Sequence, residues 1–400
     1  MTDARSRGYP AGMKTGAWGE RAPRTGVLAL VALALACGGD DDAARPDGGI
    51  DTGGEDAGAE DAGERRDAGT DASFPVGRPD ASVPGPCERY GAGVRVFDVD
   101  ERHPPEISGL AISRGNPGVL WVHDDGGNPA VLVALSFAGE VVARIHLAAP
   151  LVYPPFPLDE AAFQFNNDWE DLALGPCAEG SDTDCLYVAD FGDNDAGKQD
   201  NPGFHYTVFR VPEPELDPVL EPSGEVDELT SEDWVGFPFR YADRAHDAEG
   251  LAVDPSGRPI VFTKEREEDA THVFRFGPLP ETAPRTFAPV EELERMASLT
   301  LTDESLDLAT GADLNRSADR LALRTYRHVY EYRFAAFPEG LEALSDADLV
   351  PGVVPDLDFP RESPQGEAVA YDPFTGHLLT ISEHVRGIGI PSLHELPCAE

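Results

Sequence analysis

Basic residues are scarce in this chain. It carries 31 Lys and Arg against 74 Asp and Glu, which gives a formal net charge of −43 at pH 7. A surface of this charge repels the phosphates of nucleic acids and of anionic lipid headgroups. We therefore expect no nucleic-acid partner, and we favour a divalent cation together with an unknown ligand or partner protein.

Apolar runs long enough to span a membrane are also lacking. The apolar segment Gly26–Ala36 is far shorter than the roughly 20 residues of a transmembrane helix, and basic residues precede it. It leads into Leu-Ala-Leu-Ala-Cys37, which looks like a bacterial lipobox. We predict that residues 1–36 are a lipoprotein signal peptide and that Cys37 is lipidated; the alternative is an ordinary cleaved signal with an incidental cysteine. We expect this lipid to be the protein's sole contact with the membranes of the bacterial cell envelope. Glycine at position 38, directly after Cys37, favours attachment to the outer membrane, on either its periplasmic or its outer face.

Large apolar side chains are nearly missing from residues 37–86. This segment repeats Asp-Ala-Gly at 56–58, 61–63 and 67–69 and contains several prolines. Such a composition cannot bury enough surface to offset the entropy of ordering the chain. We predict a disordered acidic linker here, followed by a folded domain over residues 87–400.

Cysteines are few, and their number is informative. Four of the five lie in the predicted folded domain, and an even number in an exported domain favours disulfides. Cys177 and Cys185 flank a short acidic loop, whereas Cys87 and Cys398 lie near the two ends of the domain. We predict these two pairings; a zinc site is the alternative, but the spacings match no common ligand pattern.

Two sequence markers of enzymes are absent. There is no Gly-x-Ser-x-Gly motif, which argues against the usual serine hydrolases. Glycine-rich turns between a strand and a helix are also missing, which argues against an α/β nucleotide-binding fold. Helical patterns are sparse, and we predict only short helical turns at Glu291–Met296 and Glu339–Asp348.

A repeated polar step is the main positive feature of the sequence. Five times, a short polar step leads into a β-type apolar run, with further short strands and turns behind it. Aligned on the apolar run, the polar position is Ser108, Glu170, Glu249, Thr310 and Glu367, at spacings of 62, 79, 61 and 57 residues. A repeat of this length predicts an all-β, five-bladed β-propeller, with six blades as the alternative. Strand Val94–Val99 would complete the last blade, and the Cys87–Cys398 disulfide would seal it.

The five aligned positions predict a metal site. In a propeller they point at one axis, so three carboxylates and two hydroxyls would gather there. Carboxylates at close range repel one another, and a hard cation with oxygen ligands relieves this repulsion. We predict one central Ca²⁺; the alternative is that each Glu accepts backbone N–H groups and water fills the centre.

Further charged residues are expected beside this ring. Strands one and two of a blade are antiparallel, so the residues after strand two lie next to the start of strand one. The candidates for catalysis at these places are Asp124, Asp125, Asp190, Lys264, Arg266 and Arg324.

The aligned positions resemble those of a known family, the calcium-activated nucleotidases (apyrases). These are five-bladed propellers whose central calcium is held in the order Ser, Glu, Glu, Ser, Glu, and this chain has Thr310 in place of the second Ser. The Glu106-Ile-Ser108 step and the Asp124-Asp125 pair are also similar. More loosely, the chain resembles phytase-like and lactonase-like propellers. The resemblance implies a five-bladed fold and a calcium ring over residues 94–396.

Two functions remain open. In one, an envelope lipoprotein uses a propeller with a central calcium as a binding platform for an unknown ligand. In the other, calcium binds a phosphoester or phosphoanhydride, an Asp positions water, and basic residues stabilise the developing charge. The second predicts that Lys264, Arg266 and Arg324 point into the central mouth. Pairing with Glu265, Glu267 or Asp319 would favour the first.

Overall fold

A computed structural model describes residues 87–152, 166–194, 206–216, 226–266, 268–301, 307–350, 365–383 and 390–399. The predicted signal peptide, Cys37 and the linker lie outside the described residues, as does Glu267, and those predictions stay predictions.

Within these ranges, twenty-two strands form five antiparallel-based sheets arranged as the blades of a propeller. β1 (Val94–Asp98) precedes the first blade, which contains β2 (Ile107–Ile112), β3 (Val119–Asp124), β4 (Val131–Ser136) and β5 (Val141–Leu147). The second blade contains β6 (Trp169–Pro176), β7 (Asp184–Asp190), β8 (Tyr206–Pro212) and β10 (Val235–Tyr241), with β9 (Asp227–Ser231) inserted in the chain before β10. The third contains β11 (Ala248–Val253), β12 (Pro259–Thr263), β13 (Ala270–Arg275) and β16 (Arg295–Thr300), and the short β14 (Thr286–Phe287) and β15 (Glu291–Leu293) precede β16 in the chain. The fourth contains β17 (Ala309–Leu314), β18 (Arg320–Thr325) and β19 (Val329–Arg333), and the fifth contains β20 (Gly366–Tyr371), β21 (Leu378–Ser382) and β22 (Ser392–Leu396).

The innermost strands form a closed ring. β2, β6, β11, β17 and β20 each contact the next, and β20 contacts β2 again. Small residues permit this close approach: a Cβ at Gly311 would lie 2.7 Å from the carbonyl oxygen of Glu367 in the neighbouring blade. The five-bladed propeller predicted from the repeat is confirmed.

The closure of the ring is as predicted. β1 pairs antiparallel with β22, with Val94 opposite Glu395, so the N-terminal strand completes the last blade. A disulfide joins Cys87 to Cys398, and Tyr90 forms an isolated bridge to Cys398. The second predicted disulfide, Cys177–Cys185, links β6 to β7.

The second blade is enlarged at its outer edge, and the extra strand β9, between β8 and β10 in the chain, accounts for part of the long spacing after Glu170. β14 and β15 add to β10 in parallel, while β9 adds in parallel to β5 of the first blade. The predicted helical turn at Glu291–Met296 is wrong, because Glu291–Leu293 pairs with β10 and the side chain of Leu293 is buried. At the second predicted turn, Glu339–Glu342 forms a short α-helix, α1, and Asp346–Asp348 forms a 3₁₀ turn.

Two disulfides in one domain indicate an oxidising, extracytoplasmic environment. Among the described helices, none is long and apolar enough to cross a bilayer.

Candidate functional site

The five aligned positions lie together at the end of the channel where the inner strands begin. We call this region the upper mouth; it comprises Ser108, Glu170, Glu249, Thr310 and Glu367 with the adjacent loop residues Asp125, Asp168 and Lys264. All five aligned side chains are buried. The two hydroxyls bind the neighbouring strand: Ser108 Oγ donates to the carbonyl of Glu170 (2.6 Å) and Thr310 Oγ1 donates to that of Gly366 (3.0 Å).

An ammonium group lies among the three glutamates. Lys264 Nζ donates a hydrogen bond to Glu249 Oε1 and lies 4.7 Å from the centre of the Tyr326 ring. Burial alone would lower the pKa of Lys264, but the attraction of Glu249 and of the other ring carboxylates raises it well above the ordinary value. The lysine is therefore charged, and it supplies part of the positive charge that three buried carboxylates require.

One ammonium does not neutralise this region. Burial, followed by repulsion from neighbouring carboxylates, raises the pKa of Glu170 and of Glu367 well above the usual range. Burial raises the pKa of Glu249 to about 7 in spite of Lys264, and that of Glu383 to about 7 with help from Asp125. Glu367 Oε1 accepts no hydrogen bond from any described residue. The upper mouth thus holds more carboxylates than the single ammonium of Lys264 can neutralise.

A cluster of three carboxylates provides a place for a cation beside the ring. Asp125, Asp168 and Glu170 each offer an oxygen atom, and these atoms lie within 4.8 Å of one another. The loop after β7 lies directly against them, because a Cβ at Gly192 would clash with Glu170 Oε1 and lie 2.7 Å from Asp168 Cγ. Glycine at position 192 therefore lets this loop approach the cluster closely, and the three carboxylates fit a hard cation.

Asp190 positions this cluster. Its buried carboxylate accepts hydrogen bonds from the backbone N–H groups of Asn167 (3.1 Å) and Asp168 (2.9 Å) and from Asn167 Nδ2 (3.0 Å). Burial raises the pKa of Asp190 to about 7 although these donors lower it. All of these contacts fix the loop that carries Asp168, so Asp190 serves as a support for the cluster.

The remaining candidates lie outside the ring. Asp124 Oδ1 accepts the backbone N–H of Glu106 (2.8 Å), and its side chain lines a separate surface pocket. The half-exposed Arg266 donates to Asn194 Oδ1 (2.6 Å) and lies 3.4 Å from Asp247 Oδ2. Arg324 is buried between blades four and five, where a Cβ at Gly366 would clash with its guanidinium. Burial lowers the pKa of Arg324 to about 9.

Glu265 and Asp319, the described acidic neighbours of the basic candidates, bind other residues. Glu265 binds Arg244 (2.8 Å) and His246 (2.5 Å), and Asp319 Oδ1 accepts from Asn315 (2.7 Å). Of the three basic candidates, Lys264 has its head group inside the ring and Arg266 binds at the rim. The buried Arg324 donates to the carbonyl of His328 (3.2 Å), and the nearby Glu367 of the ring attracts its charge.

The sequence reasoning missed Asp171, which follows Glu170 on β6. Its side chain is fully buried, and Asp171 Oδ2 accepts the backbone N–H groups of Leu251 in blade three (2.8 Å) and Ala312 in blade four (3.0 Å). The signal was present, because the same place in the other four repeats holds Gly109, Gly250, Gly311 and Ala368. Asp171 is thus the one carboxylate at a place that four small residues occupy in the other blades. Its side chain crosses the channel and links the inner strands of blades two, three and four.

Replacing Asp171 with alanine should therefore lower the free energy of unfolding by about 3 kcal/mol or more, since buried N–H groups in two other blades lose their acceptor. Urea denaturation followed by tryptophan fluorescence measures this change. The matched control is D182A, at an exposed position on the β6–β7 loop of the same blade. A loss in D171A no larger than in D182A would contradict the structural role.

Comparisons with known proteins identify neither a family nor an activity for this chain. No protein-family model matches this chain, and no curated protein matches it. Solved structures similar to it include a calcium form of a Trichoderma reesei family AA12 carbohydrate-active enzyme, with 10% identity over 79% of this chain and 97% of that one and a TM-score of 0.36. A putative oxidoreductase (glucose dehydrogenase) of Thermus thermophilus has 15% identity over 75% of this chain and 86% of that one, with a TM-score of 0.33.

A third similar structure is Kuenenia stuttgartiensis hydrazine synthase. It has 11% identity over 72% of this chain and a TM-score of 0.32, and the match spans 57% of the hydrazine synthase chain. At such identities and TM-scores none of the three indicates an activity. The similarity to calcium-activated nucleotidases therefore remains a prediction from the sequence.

Proposed function

We propose that this protein is a cation-dependent binding platform, in which a divalent cation of the calcium type at the upper mouth bridges to an oxygen-rich ligand. The cation would be held by Asp125, Asp168 and Glu170, supported by Asp190. The observation that carries the proposal is the close approach of these three carboxylates beside Gly192. Lipidation at Cys37 would hold the domain in the cell envelope.

Calcium suits this cluster for chemical reasons. Calcium takes six to eight oxygen ligands in irregular geometries, so three carboxylates leave positions for water and for ligand oxygens. Asp125 and Asp168 are partly exposed whereas Glu170 is buried, so the cluster is open on one side. A carboxylate, phosphate or polyol oxygen could complete the coordination from that side.

The arrangement of the basic residues favours binding over phosphoester hydrolysis. Arg266 binds Asn194 and Asp247, and Arg324 lies buried between two blades, so neither guanidinium faces the cluster. Lys264 is held by Glu249. The basic groups that would stabilise the charge of a phosphoryl transition state are therefore already engaged in contacts within the protein.

Calcium should raise the melting temperature of the protein, and the chelated protein should lack this increase. At a calcium concentration 100 times Kd, linkage gives about 2.7 kcal/mol, which corresponds to roughly 5 °C for a domain of this size. The variant D125N/D168N should show no increase, because two of the three ligands lose their charge. Differential scanning calorimetry and elemental analysis of bound metal provide the measurements.

The matched control is E268Q, in a second group of potential metal ligands formed by Glu265, Glu268 and His272. There Arg244 already contacts Glu265 (2.8 Å) and Glu268 (3.2 Å), so we expect E268Q to retain the full calcium response. A protein that binds no calcium, or a response abolished by E268Q and kept by D125N/D168N, would overturn the proposed site.

A further inference from the structure

Blade three carries a second group of metal-ligand side chains, which we call the blade-three cluster: Glu265, Glu268 and His272. One ligand atom from each lies within 4.8 Å of the others. Glu265 and Glu268 are on the β12–β13 loop, and His272 is on β13. Lys264, which directly precedes Glu265, enters the central ring, whereas Glu265 contacts Arg244 on the β10–β11 loop. The blade-three cluster is therefore separate from the carboxylates of the upper mouth.

The spacing of the ligand atoms suits a tetrahedral metal ion. His272 Nε2 lies 3.2 Å from Glu268 Oε2 and 3.9 Å from Glu265 Oε1. Ligand atoms bound to a tetrahedral zinc ion at about 2.0–2.2 Å lie roughly 3.4 Å from one another. The two observed distances bracket this value, so small side-chain rotations would bring all three atoms into coordination.

The imidazole of His272 presents a lone pair to the cluster. Arg295 Nη1 lies 3.2 Å from His272 Nε2, and a guanidinium can only donate, so Nε2 is the acceptor and Nδ1 carries the hydrogen. Nδ1 in turn donates to Ser298 Oγ (3.0 Å) on the paired strand β16. A metal-bound histidine has this same arrangement, with one nitrogen on the metal and the other hydrogen-bonded to a fixed partner.

The two glutamates are joined from outside the cluster. Arg244 Nη2 contacts Glu265 Oε2 (2.8 Å) and Glu268 Oε1 (3.2 Å). The oxygen atoms that lie near His272 are the other two, Glu265 Oε1 and Glu268 Oε2. Arg244 therefore holds both carboxylates together with one oxygen of each directed toward the imidazole, and it does not have to move when a metal binds.

His246 supports Glu265 from the interior of the blade. Its side chain is fully buried, and its ring packs edge-on against Tyr241, with 4.8 Å between the ring centres. His246 Nδ1 contacts Glu265 Oε1 (2.5 Å), and Nε2 contacts Asp243 Oδ1 (3.0 Å). Such outer partners orient ligating carboxylates, and a carboxylate oxygen has a second lone pair for the metal.

We infer that the blade-three cluster binds one divalent cation of the zinc type through His272 Nε2, Glu265 Oε1 and Glu268 Oε2, with water at the fourth position. Zinc accepts this combination of an imidazole nitrogen and carboxylate oxygens, whereas calcium takes oxygen ligands. Glu268 is half-exposed, so the fourth position is accessible to water. The exposed Arg295 is the side chain that has to move, because it contacts the nitrogen that the metal takes.

Isothermal titration of the full-length protein with ZnCl₂, in excess calcium to occupy the upper mouth, tests this inference. We expect one zinc ion per chain, and H272Q and E268Q should each lose about tenfold in affinity or more. R295Q should bind zinc about fivefold more tightly, because the metal no longer displaces a hydrogen bond. D269N, at the exposed residue beside Glu268, is the matched control and should bind zinc as the unmodified protein does.

Thermal melting of each variant shows whether it is folded, and E268Q, at a half-exposed side chain, keeps the test decisive if H272Q is not. D125N/D168N should keep its zinc affinity, so the calcium site can fail without affecting this result. Absence of zinc binding, an unchanged affinity in folded H272Q or E268Q, or a loss in D125N/D168N would overturn the inference.

Discussion

Replacing Lys264 with methionine should lower the free energy of unfolding of the metal-free protein by about 3–5 kcal/mol, the typical effect of removing one partner of a buried ion pair. Lys264 is 4% exposed, and its ammonium contacts Glu249 within reach of Glu170 and Glu367. Methionine fills a similar volume and packs against Tyr326, so the loss arises mainly from the uncompensated carboxylates. Chemical denaturation in the presence of a chelator measures it.

A double variant distinguishes the effect of the Lys264–Glu249 pair from that of the other ring carboxylates. K264M/E249Q removes both charges, and we expect it to recover much of the stability lost in K264M, because fewer carboxylates then remain unpaired. Calcium should stabilise K264M by more than it stabilises the unmodified protein, since the cation replaces the missing positive charge. Equal stability of K264M and the unmodified protein would contradict the view that the ammonium neutralises the ring.

Removing the Cys87–Cys398 disulfide should produce a loss of similar size. The two cysteines are 311 residues apart, and a cross-link that closes so long a loop restricts the unfolded chain by about 5–6 kcal/mol in the chain-entropy account. The bond also joins the N-terminal segment to the blade that β1 completes, so C87S/C398S should expose the edge of β22 to local opening. Urea denaturation and hydrogen exchange at β1 and β22 report these two effects.

The second disulfide provides the matched control. Cys177 and Cys185 are eight residues apart, and the same account gives about 2.6 kcal/mol for so short a loop. C177S/C185S should therefore lose less stability than C87S/C398S and should leave exchange at β1 and β22 unchanged. A larger loss in C177S/C185S would show that closure of the ring does not depend on the terminal disulfide.

The fold could be read from the sequence because it depends on local patterns that repeat. Each blade begins with a polar residue followed by a buried inner strand, and five such units closed by β1 and Cys87–Cys398 are what the structure shows. The outer edge of the second blade could not be read in this way. Glu291–Leu293 has the composition of a helical turn, and only pairing with β10, a strand far earlier in the chain, makes it a strand.

The gathering of the ring glutamates was predictable from the sequence, but their charge balance was not. Spacing along the chain placed Glu170, Glu249 and Glu367 on one axis, since inner strands of successive blades face the same channel. Spacing carries no information on where a long, flexible side chain ends. Lys264 and Arg266 follow β12, and Arg324 lies near the end of β18, the equivalent strand of the next blade. Even so, Lys264 enters the ring, Arg266 binds at the rim and Arg324 is buried against Gly366 of blade five.

The all-β class, the repeat, the closing strand and both disulfides could be predicted from the sequence, because strand patterns and cysteine positions are set along the chain. Which charges meet depends on how the chain folds. Asp171 links three blades, Lys264 neutralises part of the ring, and Asp125, Asp168 and Glu170 form one cluster although 45 residues separate the first from the last. These contacts depend on the packing of blades against one another, since electrostatic interactions act over distances in space and burial makes them strong.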